Sequence, residues 1–159
     1  MNLVDLVGKI ADGVRPTADG HAIAVHAPDE LLAHVDPLRF EQVVTNLLDN
    51  AVKYSPGGEP VAVELSEPSP GLARLVVSDH GMGIPEEYRE HIFEPFFQAP
   101  SEGQSSRGLG LGLYITRQTV ELHGGRIEAE PESGGGTRFV VTIPTELEVS
   151  VPESVASSA

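Results

Sequence analysis

The stretch DPLRFEQVVTNLLDNAVKYSPGG, residues 36–58, decides how the chain folds. Phe40, Val43, Val44, Leu47, Leu48 and Ala51 recur at the i, i+3, i+4, i+7 spacing of a helix with one buried face. Asp36-Pro37 reads as the N-cap and first residue of that helix, and SPGG (55–58) ends it. Opposite the centre of the apolar stripe, Asn46, Asn50 and Lys53 follow one another at intervals of four and three. Asparagine is a poor helix former, roughly 0.5 kcal/mol per residue worse than alanine, because its amide competes for backbone partners. Taken alone, the stripe reads most simply as a solvated face. Such a face is more stable when built from Glu, Lys or Gln, however, and Lys53 is one of only two lysines in the chain. An Asn carbonyl is a hard oxygen ligand suited to Mg2+, and a lysine one turn further on suits a phosphate.

Working outward, Leu3, Leu6, Val7, Ile10 and Val14 predict a helix over 3–14, followed by an alternating strand at 21–27 and a short extended segment at 31–35. VAVEL (61–65) and ARLVVSD (73–79) are predicted strands around a Pro/Ser/Gly turn, and PEEYREHIF (85–93) suggests a short helix. Residues 94–107 read as irregular, and GLGLGLYITRQTVELHGG (108–125) as a glycine-rich loop entering a helix that stops at HGG. RIEAE (126–130) and GTRFVVTIP (136–144) complete a final hairpin. About three main helices with five or six strands, several hairpin-linked, predict an α+β fold: a two-layer sandwich, not a doubly wound parallel sheet. Residues 1–145 are expected to form the domain, and 146–159 a disordered tail.

Bulk composition excludes several classes. The 159 residues carry 24 acidic and 10 basic side chains, a net charge of −14 that disfavours nucleic acid as a direct partner. With no cysteine there is neither a disulfide framework nor a Cys-based zinc site. The six histidines show no HxxxH or HExxH pairing. No apolar run approaches the ~20 residues of a membrane span, and no signal-peptide pattern opens the chain. These features predict a soluble, cytoplasmic chain without direct membrane contact.

Two further glycine-bearing motifs stand out. DHGMGIP (79–85) ends an apolar strand with a carboxylate, and Gly81 and Gly83 imply tight turning or close approach of another group. A carboxylate there suits the exocyclic amine of adenine. The Asp79-His80-Gly81 tripeptide lacks the accompanying motifs of a protein kinase. GLGLGL (108–113) at a helix start offers unpaired N–H groups and the positive end of the helix dipole, with Arg107 beside them. It has neither the preceding strand of a Rossmann turn nor the Gly-Lys-Ser/Thr of a Walker A loop. IFEPFF (92–97) gathers three of the five phenylalanines, which pin the adjoining loop to the core whether or not that loop is a lid.

In this order the motifs resemble the ATP-binding catalytic domain of sensor histidine kinases, in the superfamily shared with DNA gyrase, MutL and the ninety-kilodalton heat-shock chaperone. FEQVVTNLLDNAVKYSP (40–56) is similar to the N box, DHGMGIP to the G1 box, IFEPFFQ to the F box and RGLGLGL (107–113) to the G2 box. GGGTRFVVTIP (134–144) is similar to the terminal glycine motif and last strand. The resemblance covers residues 2–144 and implies the Bergerat fold, a mixed, mostly antiparallel sheet packed on three helices.

The resemblance also implies site roles. ATP and Mg2+ would be the cofactors. Asn50 would be the metal ligand, Asn46 would lie near the phosphates or metal, and Lys53 would contact phosphate. Tyr54 would cover the adenine and Asp79 would take its amino group, with Gly81, Gly83 and Ile84 alongside and Thr137 near the base. Residues 98–108 would be the ATP lid, and Arg107, Gly108, Leu109, Gly110, Leu111 and Gly112 would wrap the phosphates. Asn46, Lys53 and Arg107 would carry catalysis.

His80 and Leu109 depart from the commoner residues of their boxes at variable positions. In the gyrase and chaperone branches a glutamate one turn before the metal asparagine activates water. Asn46 stands there instead, and an amide is no general base at neutral pH. This points to γ-phosphoryl transfer to a histidine on a separate dimerisation domain, with a response regulator downstream. No histidine here lies in an HE(L/F)RTP-like context and no long dimerisation helices precede residue 1, so the chain is expected to be the catalytic piece of a longer kinase, monomeric in isolation. The alternatives are an anti-sigma-type serine kinase or partner-binding regulator of the same superfamily, and a nucleotide-sensing module without transfer.

Overall fold

Helix α1 (Leu3–Val14) forms because its apolar residues have somewhere to go: Leu3, Leu6, Val7, Ile10, Ala11 and Val14 are all buried. Helix α2 (Pro37–Tyr54) starts where Asp36 Oδ1 accepts the N–H groups of Leu38 at 3.1 Å and Arg39 at 3.3 Å, an N-cap followed by proline at the first helical position. All six residues of its apolar stripe, Phe40 to Ala51, are at most 2% exposed. Helix α3 (Gly112–Leu122) buries Thr116, Thr119 and Val120. This computed structural model describes residues 1–14, 22–55, 59–97 and 111–146, with the Tyr54 side chain excepted. The residues expected to form the tail lie outside that set, save Glu146.

Among the described residues five strands make one sheet: β1 (Ile23–His26), β2 (Val61–Ser69), β3 (Leu72–Ser78), β4 (Arg126–Pro131) and β5 (Thr137–Pro144), in the order β1-β2-β3-β5-β4. Only β1 and β2 are parallel, because α2 forms the crossover between them; the other pairs are antiparallel. The helices cover one face, α1 against β1, α2 against β2 and β3, and α3 against β4, with α2 between its two neighbours. Burial therefore alternates: on β5, Thr137, Phe139, Val141 and Ile143 face inward. The architecture is the expected two-layer α+β sandwich.

The two hairpins and all three helices form where the sequence predicts them. Residues 31–35 do not join the sheet. They form a strap across one end, with a single bridge between Leu32 and Asn2, and the His34 N–H donates to the Thr145 carbonyl at 2.9 Å. The helix expected over 85–93 is one 3-10 turn, Glu86–Tyr88, followed by turns. The N–H groups of Tyr88, Arg89 and His91 bond three residues back, not four. Ile92 and Phe93 then sink into the core, which pulls the chain off a helical course. Strand β2 runs four residues further than expected and β3 starts one residue earlier, because Gly71, with φ at 87°, closes their turn tightly; Asp79 lies just past the end of β3 instead of within it.

The patterning of α2 yields a paired test. Leu47→Ala, at a position with no exposed surface, is expected to cost about 2–5 kcal/mol of folding free energy. Leu38→Ala, at a position 76% exposed on the same helix, is expected to change it by no more than about 0.5 kcal/mol. Urea unfolding of both variants measures the contrast.

Candidate functional site

Strand β3 ends at Ser78, and Asp79 follows as a buried carboxylate, 5% exposed. Backbone groups hold it from two sides. Its Oδ1 accepts the N–H of Gly81 at 2.9 Å and the N–H of Thr137 at 3.3 Å, while its own N–H donates to the Thr137 carbonyl at 3.0 Å. The start of β5 is thus zipped to the end of β3, continuing the Ser78–Arg138 pairing. Gly136, at φ 107°, lies so close that any side chain there would collide with the Asp79 backbone. A Cβ on Gly83, at φ 77°, would lie 3.3 Å from the Gly136 carbonyl oxygen. These two glycines are required by close approach and by left-handed backbone alike.

Burial pushes the Asp79 carboxyl above its ordinary pKa; the Gly81 and Thr137 N–H groups and His80 pull it back, and Glu132 adds to the rise. The folded state therefore binds the carboxyl proton more tightly than the unfolded state. Stability from this group is greatest below the unfolded value near 3.8 and is lost as the pH rises through the folded pKa. At neutral pH the domain carries a charge that its own fold disfavours.

The asparagine stripe lies at the same end of the sheet. β2 begins shortly after α2 ends, and its Ala62 pairs with Ser78, beside Asp79. Instead of facing solvent opposite the core, Asn46, the first residue of the stripe, borders α3. The Asn46 Nδ2 donates to Thr116 Oγ1 at 3.2 Å and to the Gly112 carbonyl at 3.4 Å. Asn46 and Asn50 are half-buried and Lys53 is exposed in the last turn. A single-helix projection misses this because it cannot include the second neighbour.

The other expected residues divide as follows. Ile84 packs against the core, and its carbonyl accepts Arg89 Nε–H at 3.3 Å. Leu111 and Gly112 sit at the N-terminus of α3. Arg107, Gly108, Leu109 and Gly110, with the rest of the expected lid, lie outside the described residues. Of the three clustered phenylalanines, Phe93 meets Phe139 edge-on at 6.4 Å between ring centroids and pins the segment to β5. Phe97 packs on Tyr88 at 5.9 Å, and Phe96 is exposed.

Two residues bearing on the site went unidentified in the sequence. Gly136 sits in a Gly-Gly-Gly run that marks a loop without saying which glycine is needed. Thr116 carries no signal at all in a helix that reads as ordinary. A separate open cleft of about 670 Å3, with Leu31, Leu65 and Ser66 among its walls, lies toward the other end of β2. Its titratable groups are Glu30 and Glu67, which makes it unsuited to a polyanion. No helix of the described residues is long and apolar enough to cross a membrane, and none of their His, Asp and Glu side chains cluster as a metal site. A metal here would rely on amide oxygens and on ligand atoms.

Two measurements follow. Asp79→Asn keeps an acceptor for both N–H groups and removes the buried charge, so it is expected to match or exceed the wild-type melting temperature at pH 7. That advantage should shrink toward pH 4, as followed by circular dichroism. Gly136→Ala is expected to lose at least about 1–3 kcal/mol through its strained backbone and the collision with Asp79. Chemical denaturation quantifies that loss.

Comparison with known proteins identifies the family and relatives of this fold. Residues 35–147 match the profile of the family described as histidine kinase-, DNA gyrase B- and HSP90-like ATPase. The sensor histidine kinase TmoS of Ectopseudomonas mendocina is 44% identical over 118 residues, which are 74% of this chain and 12% of TmoS. The histidine-protein kinase AfsQ2 of Streptomyces coelicolor is 34% identical over 143 residues, 90% of this chain and 26% of AfsQ2. The chain thus spans about an eighth to a quarter of the length of these two relatives. Among solved structures, a mycobacterial sensor histidine kinase MprB superposes with a TM-score of 0.81 at 31% identity, covering 92% of this chain and 96% of that one. Full-length ShkA in complex with AMPPNP gives 0.79 at 29% identity, covering 91% of this chain and 30% of ShkA. The chain belongs to the histidine kinase-, gyrase- and HSP90-like ATPase family, and within it to the catalytic domains of sensor histidine kinases.

Proposed function

We propose that the domain binds Mg-ATP and passes the γ-phosphoryl group to a histidine on a separate dimerisation domain, on the cytoplasmic side, within a two-component signalling protein. The observation that carries this reading is Asp79: a buried carboxylate whose Oδ1 is saturated by two backbone N–H groups, leaving Oδ2 to accept an exocyclic amine. The glycines at 83 and 136 keep side chains out of the space around it. ShkA, similar over 91% of this chain, holds AMPPNP.

Within the proposal, Asp79 reads the adenine amino group, with Gly81, Gly83, Ile84 and Thr137 beside the base. Tyr54 covers the ring. Asn50 supplies an amide oxygen to Mg2+, Asn46 lies at the phosphate end, and Lys53, Arg107 and the 108–112 backbone take phosphate oxygens. Bound Mg2+ supplies charge neutralisation of the transferred group, and the protein's part is positioning. Asn46 stands where a hydrolase of this superfamily has a carboxylate. Its amide cannot take a proton from water, which favours transfer to an external acceptor over hydrolysis. The phosphorylated histidine would then serve a response regulator.

Calorimetric titration of ATP tests the reading. Losing a hydrogen bond to a charged acceptor costs about 1.5–3 kcal/mol, so Asp79→Asn is expected to weaken binding about 10- to 150-fold. Asn50→Ala should remove most of the gain in affinity that Mg2+ brings over EDTA. With a histidine-bearing helical hairpin as acceptor, the transferred phosphate should be acid-labile and alkali-stable. An acid-stable product on a serine protein would favour the anti-sigma-type alternative. Wild-type affinity in both variants would overturn the proposal.

A further inference from the structure

Thr116 has no part in the roles assigned above, yet it has no exposed surface and makes a bond that its own helix does not need. Its hydroxyl donates to the Gly112 carbonyl at 2.8 Å and accepts from Asn46 Nδ2 at 3.2 Å. The same nitrogen reaches the Gly112 carbonyl at 3.4 Å, closing a triangle between α2 and the first turn of α3. A helical threonine often bonds back to the carbonyl four residues earlier with no further consequence. That habit accounts for the 2.8 Å bond. It does not account for the bond to a side chain 70 residues away.

The triangle dictates the polarity of each atom. A carbonyl oxygen only accepts, so the single hydroxyl proton of Thr116 goes to Gly112. The hydroxyl then has only lone pairs to offer Asn46, and the Asn46 atom facing α3 is its NH2 group. Among the described residues Oδ1 has no partner, so it is the atom that Asn46 has left for a ligand. An amide oxygen suits a cation or a water proton and is mismatched to a phosphate oxygen, which is itself an acceptor.

We infer that Thr116 is a positioning residue for the phosphate end of the site: by holding the Asn46 NH2 group against α3, it presents the Asn46 carbonyl oxygen to the metal or a metal-bound water. The inference rests on the Mg-ATP reading for its ligand and on the hydrogen-bond geometry for its link. Without the hydroxyl, the amide is free to turn and offer NH2 instead. The same link ties the N-terminus of α3, directly after the glycine-rich stretch, to the helix that carries Asn50.

Thr116→Val removes the hydroxyl at nearly constant volume, and Thr116→Ser restores it without the methyl group. In the full chain without nucleotide, the Asn46 side-chain NH2 protons, followed by NMR, should exchange at least tenfold faster in Thr116→Val and near the wild-type rate in Thr116→Ser. In ATP titrations, Thr116→Val should bind at least fivefold more weakly with Mg2+ and within twofold of wild type in EDTA, with Thr116→Ser recovering the Mg2+ affinity. Equal amide exchange in wild type and Thr116→Val overturns the inference, whatever the nucleotide result. A loss that is equal with Mg2+ and EDTA, alongside a lowered melting temperature, also overturns it, since that is a packing effect. Wild-type protein that binds no ATP would sink the Mg-ATP reading instead, and the exchange comparison would still decide whether Thr116 orients Asn46.

Discussion

Helix α2 has to satisfy a core and two flanking helices at once, and the rest of the structure depends on how it does so. Its apolar stripe from Phe40 to Ala51 is sealed against β2 and β3. With residues spaced about 100° apart, the positions flanking that stripe on the α3 side are neither core nor solvent. Asn46 occupies one of them and makes hydrogen bonds to α3 that an apolar side chain could not. A half-buried amide is tolerable there because its donors are matched, which is the usual condition for polar groups at an internal boundary.

The α2–α3 pair is stitched at both ends by side chains of opposite helices. At one end of α3, Asn46, midway along α2, reaches its first turn. At the far end His123, just past α3, accepts the Asp36 N–H through Nε2 at 3.0 Å, while its Nδ1 lies 2.8 Å from the Thr119 carbonyl. The tautomer that carries its proton on Nδ1 serves both contacts, with Nε2 accepting and Nδ1 donating. The stop signal HGG is therefore also the anchor for the start of α2. Gly125 completes the same corner, since a Cβ there would strike β5.

Asp79 shows the reverse priority, a group placed against the interest of the fold. Its charge is desolvated, and the two N–H groups on Oδ1 offset that cost only in part. A protein selected for stability alone would have an uncharged residue at this point. Strained or costly groups gathered in one place are a reason to look there for a ligand. The requirement for glycine at 136 follows from the same feature, because the backbone that holds Asp79 leaves no room for a side chain.

The helices, the hairpins and the two-layer arrangement were legible in the sequence, because burial period, Pro and Gly punctuation and the Asp36 cap are local properties written into neighbouring residues. So was Asp79 as an oddity, a carboxylate ending an apolar strand. The strap at 31–35 and the single 3-10 turn after Pro85 were not, since each depends on partners distant in sequence: Asn2 and Thr145 for the strap, and the core pocket for Ile92 and Phe93. The asparagine stripe looked solvated because a helical projection shows one helix at a time. Only tertiary structure decided that α3 lies against Asn46, that the Thr116 hydroxyl bonds its amide, and that Gly136 is the indispensable member of its run. Sequence period determines which face of an element is buried; what that face meets, atom by atom, is settled only when the second element arrives.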